Sequence, residues 1–343
     1  MHAALITGKE TVELVEFDEP TPANEGVVVD ISLCGICGTD IHAWQSGSPY
    51  NPAICGHEWV GLVSAAGHEV TSVFEGDRVL VAVPPACGTC APCRAGHTAV
   101  CDTVFAHATG RHPSAPAHGG FAPSIAVAAD RVLGVAAEIS DTEAAQIEPL
   151  TVTLHAIRRA APRPGDVAVV QGAGPIGLLT SQLAKLSGAG STIVVEPNEA
   201  RRQLALDLGA DHAVGPDDAA EFVMTETGGL GADIVYECAG VPSTIQTAVN
   251  LTRRQGRMCL IGLASGTAEI NPAIWLVKEV TVTTALAYTH EEFAMAQSLV
   301  ADGRVQLDPL HSRTVGLTDL NDAIGDLSSG AGDMKILVDP RLS

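Results

Sequence analysis

Basic residues are scarce in this chain of 343 residues: lysine and arginine together number 19, only four of them lysines, against 40 aspartates and glutamates. The formal charge of −21 repels phosphate backbones and anionic lipid headgroups, which argues against nucleic acid or a membrane surface as a partner. No apolar run reaches the roughly 18 residues of a membrane span. The opening residues, "MHAALITGKE", lack the basic stretch followed by an apolar one that marks a secretory signal. Internal repeats and low-complexity tracts are missing as well. The expected location is therefore the cytoplasm, where the nine cysteines stay reduced and act as ligands or buried residues.

What is present is a composition that folds, with 46% hydrophobic and 17% charged residues, in a chain long enough for two domains. Up to about Ala129, short β-branched runs such as "GVVVDISL", "WVGLVSAAG" and "DRVLVAV" are broken by Gly and Pro, the pattern of a strand-rich domain. Ser140 followed by Glu143 has the spacing of a capping box and predicts a helix start. After "PRPGD", apolar strands alternate with amphipathic helices: "VAVVQG", "TIVVE", "HAVG", "DIVYECAG" and "MCLIGL" are the expected strands. Such alternation predicts an α/β domain with a parallel sheet covered on both faces. Helices at "THEEFAMAQSLVADG" and "LTDLNDAIGDLSSG" and a strand at "MKILVD" are expected near the end.

The segment "VAVVQGAGPIGLLTSQLAKL" sets Gly172, Gly174 and Gly177 between a strand and a helix. Gly172 permits a tight turn, Gly174 lets the backbone approach a pyrophosphate, and Gly177 allows close helix–strand packing. Pro175 and Ile176 open the helix, whose free N–H groups face the phosphates. Glu196 ends the next strand, where an acid accepts bonds from ribose hydroxyls and repels a 2′-phosphate, favouring NAD over NADP. Arg201 and Arg202 follow closely, either as further cofactor contacts at that end or as an exposed helix face.

Cys87, Cys90, Cys93 and Cys101 are spaced so that four thiolates can surround one ion and leave no open position, the mark of a structural zinc. An iron–sulfur cluster would take the same four ligands, but nothing else in the chain points to electron transfer. A second set is less compact. "CGTDIH" begins at Cys37 and "GHE" at Gly56, and Glu148 stands in "QIEPL". Cys37, His57, Glu58 and Glu148 offer a thiolate, an imidazole and two carboxylates, enough for a catalytic zinc that keeps a position free for substrate. The sequence leaves open whether Glu58 or Glu148 contacts the metal at rest. Cys34, which makes "CGIC" look like a redox pair, is expected to be buried with Cys55, Cys238 and Cys259.

On "CGICGTDIH", "GHE", the four-cysteine loop, "GGFA", "EPL" and "GAGPIG", the chain resembles the zinc-containing medium-chain dehydrogenase/reductase family over essentially its full length. Glu148 resembles the polyol, butanediol and threonine dehydrogenase branch. "LHAIRRA", "VVEPNEARRQLALDLGAD" and "LAYTHEEF" are most similar to 2,3-butanediol dehydrogenases. The resemblance implies a GroES-like catalytic domain over residues 1–150, completed by about 287–343, and a Rossmann NAD-binding domain over 151–286. It implies NAD and two zinc ions per subunit, a homodimer or homotetramer, and hydride transfer from a secondary alcohol, diol or polyol. In that scheme Thr39 starts proton transfer from the alcohol, His42 passes the proton towards solvent, and Asp40 holds His57 in its ligating tautomer. An amino-alcohol substrate, as in threonine dehydrogenases, is the alternative within the enzyme class. A noncatalytic nucleotide-binding protein on the same fold is the alternative outside it. A carboxylate-bearing substrate ranks lower, because few cations are expected near the metal residues. "GGFAPSI" and the short span from Trp44 to Cys55 depart from the branch and bear on the substrate, not the chemistry.

Overall fold

The computed structural model describes residues 1–330 and 332–342. The chain forms two compact units, one of residues 1–148, 288–303 and 307–343 and the other of 149–287 and 304–306. The short return at 304–306 has a plain cause: the Gln182 side chain accepts from the Gln306 N–H at 2.8 Å and donates to its carbonyl at 3.1 Å.

The first unit opens with a two-stranded ribbon, β1 (His2–Gly8) and β2 (Thr11–Glu16). A larger sheet is then laid down by β3 (Gly26–Gly35), β4 (Glu58–Ala66), β5 (Arg78–Val81), β6 (Ser124–Ala128) and β7 (Val132–Gly134). Helix α1 (Gly38–Ser46) fills the connection between β3 and β4, while α2 (Ala91–Arg94) and α3 (Asp102–Ala108) flank the cysteine-rich loop. The predicted capping box is present: Ser140 and Glu143 satisfy each other's backbone at the start of α4 (Asp141–Ala144), and α5 (Ile147–Ala160) follows.

The second unit carries β8 (Val167–Gln171), α6 (Pro175–Leu186), β9 (Ser191–Val195), α7 (Glu199–Asp207), β10 (His212–Val214), α8 (Ala219–Glu226) and β11 (Ala232–Glu237). It continues with α9 (Pro242–Leu251), β12 (Thr252–Leu260), α10 (Pro272–Lys278) and β13 (Thr281–Thr284). These strands pair in parallel in the order β10-β9-β8-β11-β12-β13, the doubly wound Rossmann arrangement with its switch point between β8 and β11. Val169, Ile193 and Val235 are fully buried, as strands covered on both faces must be. Sequence reasoning missed β13, whose "TVTT" is short and only partly covered.

The chain then returns to the first unit through α11 (His290–Ala301), β14 (His311–Val315), α12 (Leu320–Ser329) and β15 (Lys335–Val338). The large sheet runs β14-β15-β3-β4-β5-β7, with β6 also on β3. Its core joins Val27, Val29, Ile31, Trp59, Phe121 and Ile125 with Ile336 and Val338 from the far end of the chain. Phe121 and Cys34 are core residues here, and all nine cysteines are free thiols.

Candidate active site

Cys37 is the N-cap of α1. Its sulfur accepts from the Thr39 N–H at 3.4 Å, and the Asp40 carboxylate accepts from the Cys37 N–H at 2.9 Å, completing a capping box. The "CGTDIH" segment is thus a helix start whose cap is itself a metal-ligating residue type. Thr39 presents its hydroxyl 3.5 Å from the Cys37 sulfur. His42 lies three residues on along the same helix, so it shares that face, and its Nδ1 is buried with no protein partner among the described residues.

His57 and Glu58 come from the edge of β4. The His57 Nδ1 lies 2.9 Å from the Ile54 carbonyl, which can only accept, so that nitrogen carries a hydrogen and Nε2 is the nitrogen available to a metal. This corrects the role expected of Asp40, because the carbonyl of Ile54 orients the ring instead. Asp40, fully buried, accepts from Cys37, from Tyr50 at 2.8 Å and from the Gly56 N–H at 3.3 Å. It ties α1 to the loop before β4, and the short Trp44–Cys55 span supplies Tyr50 for that purpose.

Ligand atoms of Cys37, His57 and Glu58 all lie within 4.8 Å of one another. Glu148, in the first turn of α5, stands beside this group rather than in it. Burial pushes the Glu148 carboxyl up to about 7, with Glu58 adding to the rise while His57, Lys335 and a hydrogen bond from Tyr288 oppose it. Burial pulls the His57 imidazole down, but the Cys37 sulfur, then Glu148 and Asp40, outweigh it and hold the ring well above its ordinary value. Negative groups crowded together in this way suit a cation. Two residues escaped the sequence reading. Tyr288 precedes α11 and bonds Glu148, and Lys335 on β15 donates to Glu58 and, at 2.9 Å, to the Ile36 carbonyl. A cation does therefore stand at the metal residues, although Glu58 already engages it. Its signal was a single lysine inside the apolar run "KILV".

The other four cysteines form a separate cluster, also with ligand atoms within 4.8 Å of one another. Cys90 and Cys101 sulfurs are 3.8 Å apart and those of Cys101 and Cys87 are 3.6 Å apart. A tetrahedron with zinc–sulfur bonds of about 2.3 Å has sulfur–sulfur edges of about 3.8 Å. The loop therefore fits zinc. The N–H groups of Cys87 and Cys90 point at the sulfurs of Cys101 and Cys87 at 3.4 Å, stabilising thiolate charge.

In the second unit, Gly172 has φ +92°, and a Cβ there would come within 2.9 Å of the Ala239 Cα. A Cβ on Gly177 would collide with the Gly172 carbonyl, whereas one on Gly174 would meet no protein atom. Gly174 is the N-cap of α6 with no side-chain cap, and Pro175 and Ile176 begin the helix, so the first N–H groups face open space suited to phosphate. Glu196 accepts from the Ala173 N–H at 2.8 Å and the Asn198 N–H at 3.0 Å, which aims its carboxylate at the same turn. The Arg201 N–H is capped by Asn198, and Arg202 donates to the carbonyls of Glu196 and Pro197, each at 2.8 Å. Arg202 therefore serves as a backbone clamp.

Residues 23–137 match the alcohol dehydrogenase GroES-like domain, and residues 175–302 match the zinc-binding dehydrogenase domain. The chain belongs to the zinc-binding dehydrogenases of the medium-chain dehydrogenase/reductase family, in their polyol dehydrogenase branch. It is 32% identical to the 2-dehydro-3-deoxy-L-galactonate 5-dehydrogenase of Pseudoalteromonas atlantica, over 99% of this chain and 98% of that one. It is 34% identical to the sorbitol dehydrogenase of Bacillus subtilis, over 77% and 76% of the two chains. Among solved structures, a zinc-binding dehydrogenase from Sinorhizobium meliloti bound to NADP superposes with a TM-score of 0.87 at 29% identity, covering 99% of both chains.

Proposed function

We propose that the protein is a zinc-dependent dehydrogenase that transfers hydride from a secondary alcohol of a diol or polyol to NAD. The grouping of Cys37, His57 and Glu58 around one point, with Glu148 beside it, carries this reading. Cys37 and His57, with a carboxylate from Glu58 or Glu148, would hold the catalytic zinc, and Cys87, Cys90, Cys93 and Cys101 a structural one. Zinc supplies a Lewis acid that makes the alcohol proton easy to lose near neutral pH. The chain's own groups do the rest. The Thr39 hydroxyl, beside the Cys37 sulfur, accepts the substrate proton as it gives up its own, and His42 on the same helix face carries that proton onward. Ile54 keeps the His57 Nε2 available to the metal, and Asp40 keeps α1 and the Gly56 turn in register.

Gly172, Gly174, Pro175, Ile176 and Gly177 would bind the pyrophosphate, Glu196 the ribose hydroxyls, and Arg201 the same end of the cofactor. The acid at 196, already fixed by two backbone N–H groups, supports NAD over NADP. A neutral polyol is favoured over a carboxylate-bearing or amino-acid substrate because Lys335 is already paired with Glu58.

A homodimer or homotetramer is supported by the apolar surface around β13, an unpaired sheet edge: Leu276 is 77% exposed and Leu286 75%. None of the nine cysteines is in a disulfide, which suits the reducing cytoplasm, and no described helix is long and apolar enough to cross a membrane. The deciding experiment combines metal analysis with NADH and NADPH absorbance across diols, polyols, simple alcohols, threonine and a sugar acid. Two zinc ions per chain and NAD-linked turnover with a diol or polyol are expected. One zinc per chain, or turnover with no panel member, overturns the reading.

A further inference from the structure

With 40 acids to 19 bases, this chain has carboxylates to spare for its cations. Arg78, Arg253 and Arg313 each pair with an aspartate. Arg131, half-buried just before β7, pairs with none among the described residues, and its Nε reaches only the Ala82 carbonyl, at 3.4 Å. Two imidazoles stand near it. His107, in the last turn of α3, is 8% exposed, and its Nδ1 is buried with no partner among the described residues. His112 stacks on it, with ring centroids 3.8 Å apart and planes 20° from parallel. The backbone builds this arrangement. Gly110 turns the chain at φ +64°, against the Asn51 amide, which donates to the Thr109 and Gly110 carbonyls at 3.0 and 2.9 Å. The N–H groups of Arg111 and His112 then both return to the Ala106 carbonyl, at 2.8 and 3.1 Å, which carries His112 back over His107. The Ser114 N–H donates to the His112 Nδ1 at 3.3 Å, so the Nε2 of that ring keeps a hydrogen to donate.

Burial pushes the His107 imidazole down to about 4, and the charges of Arg131 and His112 act in the same direction, with no acid opposing them. A guanidinium without a counter-anion and a buried nitrogen without a partner are both unfavourable, and one bound oxyanion relieves both. We propose that Arg131, His107 and His112 form an oxyanion site that takes a carboxylate or a phosphate group. The guanidinium fork matches two oxygens of either group side by side, and imidazole N–H groups supply further bonds. Tyr288 joins this site to the candidate catalytic group, because its hydroxyl bonds Glu148 and lies within reach of the Arg131 charge. Lys335 is taken by Glu58, whereas Arg131 is open. The oxyanion is either the far end of the polyol whose hydroxyl is oxidised or a free ion beside it. The first source rests on the dehydrogenase reading above; oxyanion binding itself does not.

The test measures binding to the full-length protein by calorimetric titration and by the rise in Tm, with NADH present to occupy the dinucleotide turn. The probes are inorganic phosphate, a hexitol phosphate, gluconate and sorbitol, with chloride at equal ionic strength as the control. Inorganic phosphate is expected to bind saturably and chloride not to. Arg131→Met is expected to weaken phosphate about 10- to 100-fold, the scale of lost charge-assisted hydrogen bonds. His107→Phe keeps the ring stack but not the nitrogens, and should weaken it about 3- to 10-fold. Sorbitol binding should change in neither. Arg131→Lys keeps the charge without the fork, guards against a misfolded Arg131→Met, and should fall between that variant and the native protein. Tighter binding of the hexitol phosphate or gluconate than of inorganic phosphate, lost in Arg131→Met, assigns the oxyanion to the substrate. Binding no tighter than that of inorganic phosphate assigns it to a free ion. A native protein that binds none of the three oxyanions, or variants that bind them as the native protein does, overturns the proposal. Turnover with no polyol while phosphate still binds would instead overturn the dehydrogenase reading.

Discussion

The four-cysteine group closes within one loop, Cys87 to Cys101, held by short turns and by N–H groups aimed at sulfur. The proposed catalytic group draws on α1, β4, the first turn of α5 and β15, so Glu58 and Lys335 meet only when three strands take their proper register. The first cluster is chemically uniform and sits in a part of the chain with many exposed residues. The second mixes sulfur, imidazole, carboxylate and ammonium in a buried setting where every polar atom needs a partner. A closed, local site resists substrate and stabilises its loop. An open site must keep a position free, and it relies on neighbouring residues to hold each ligand in place.

The sharpest way to break this contrast is to exchange the consequences of losing a cysteine from each group. Cys37→Ser is expected to lower turnover by more than about 100-fold, since even residues behind the ligands are worth 10- to 100-fold. NADH affinity, measured by fluorescence, should stay within about twofold. Cys90→Ser should do the reverse: one zinc per chain is lost and the Tm falls by about 5 °C or more, while turnover per folded molecule changes little. If Cys90→Ser abolished turnover without loss of stability, the two groups would not be divided between structure and chemistry.

Smaller effects probe the dinucleotide turn, a third site that is local in sequence like the cysteine loop. Gly172→Ala places a side chain at φ +92° and within 2.9 Å of the Ala239 Cα. Strain of this kind costs about 1–3 kcal/mol, so NADH binding should weaken about tenfold, with metal content unchanged. Glu196→Gln removes the charge that disfavours a 2′-phosphate. The NADP-to-NAD ratio of kcat/KM is expected to rise about fivefold, on the scale of one hydrogen bond. No change in that ratio would remove Glu196 from cofactor selection.

Much of this organisation was legible in advance, because its determinants lie close together in the chain. The cysteine spacing, the Gly172–Gly177 turn and the Ser140–Glu143 capping box each act over a few residues. The parallel strands showed as apolar runs, except for β13, where "TVTT" has neither length nor full burial. Proximity in sequence misled in one instance. Asp40 looked placed to orient His57, yet the carbonyl of Ile54 takes that bond, and a backbone group leaves no trace in residue type. Lys335 and Tyr288 were illegible for a different reason. Each reaches its partner across the fold, and neither lies in a recognisable motif.

By itself, the sequence determined the residue types: sulfur and imidazole for soft-cation coordination, glycines where a backbone must turn tightly, and alternating apolar runs for a covered sheet. These follow from side-chain chemistry and local backbone geometry, both of which act over a few residues. Only the tertiary structure decided which carboxylate meets which partner. The register of β15, β3 and β4 brings Lys335 across Gly35 onto Glu58, while α5 presents Glu148 to Tyr288. Strand pairing at a separation of nearly three hundred residues is a property of the folded sheet, and no local spacing encodes it.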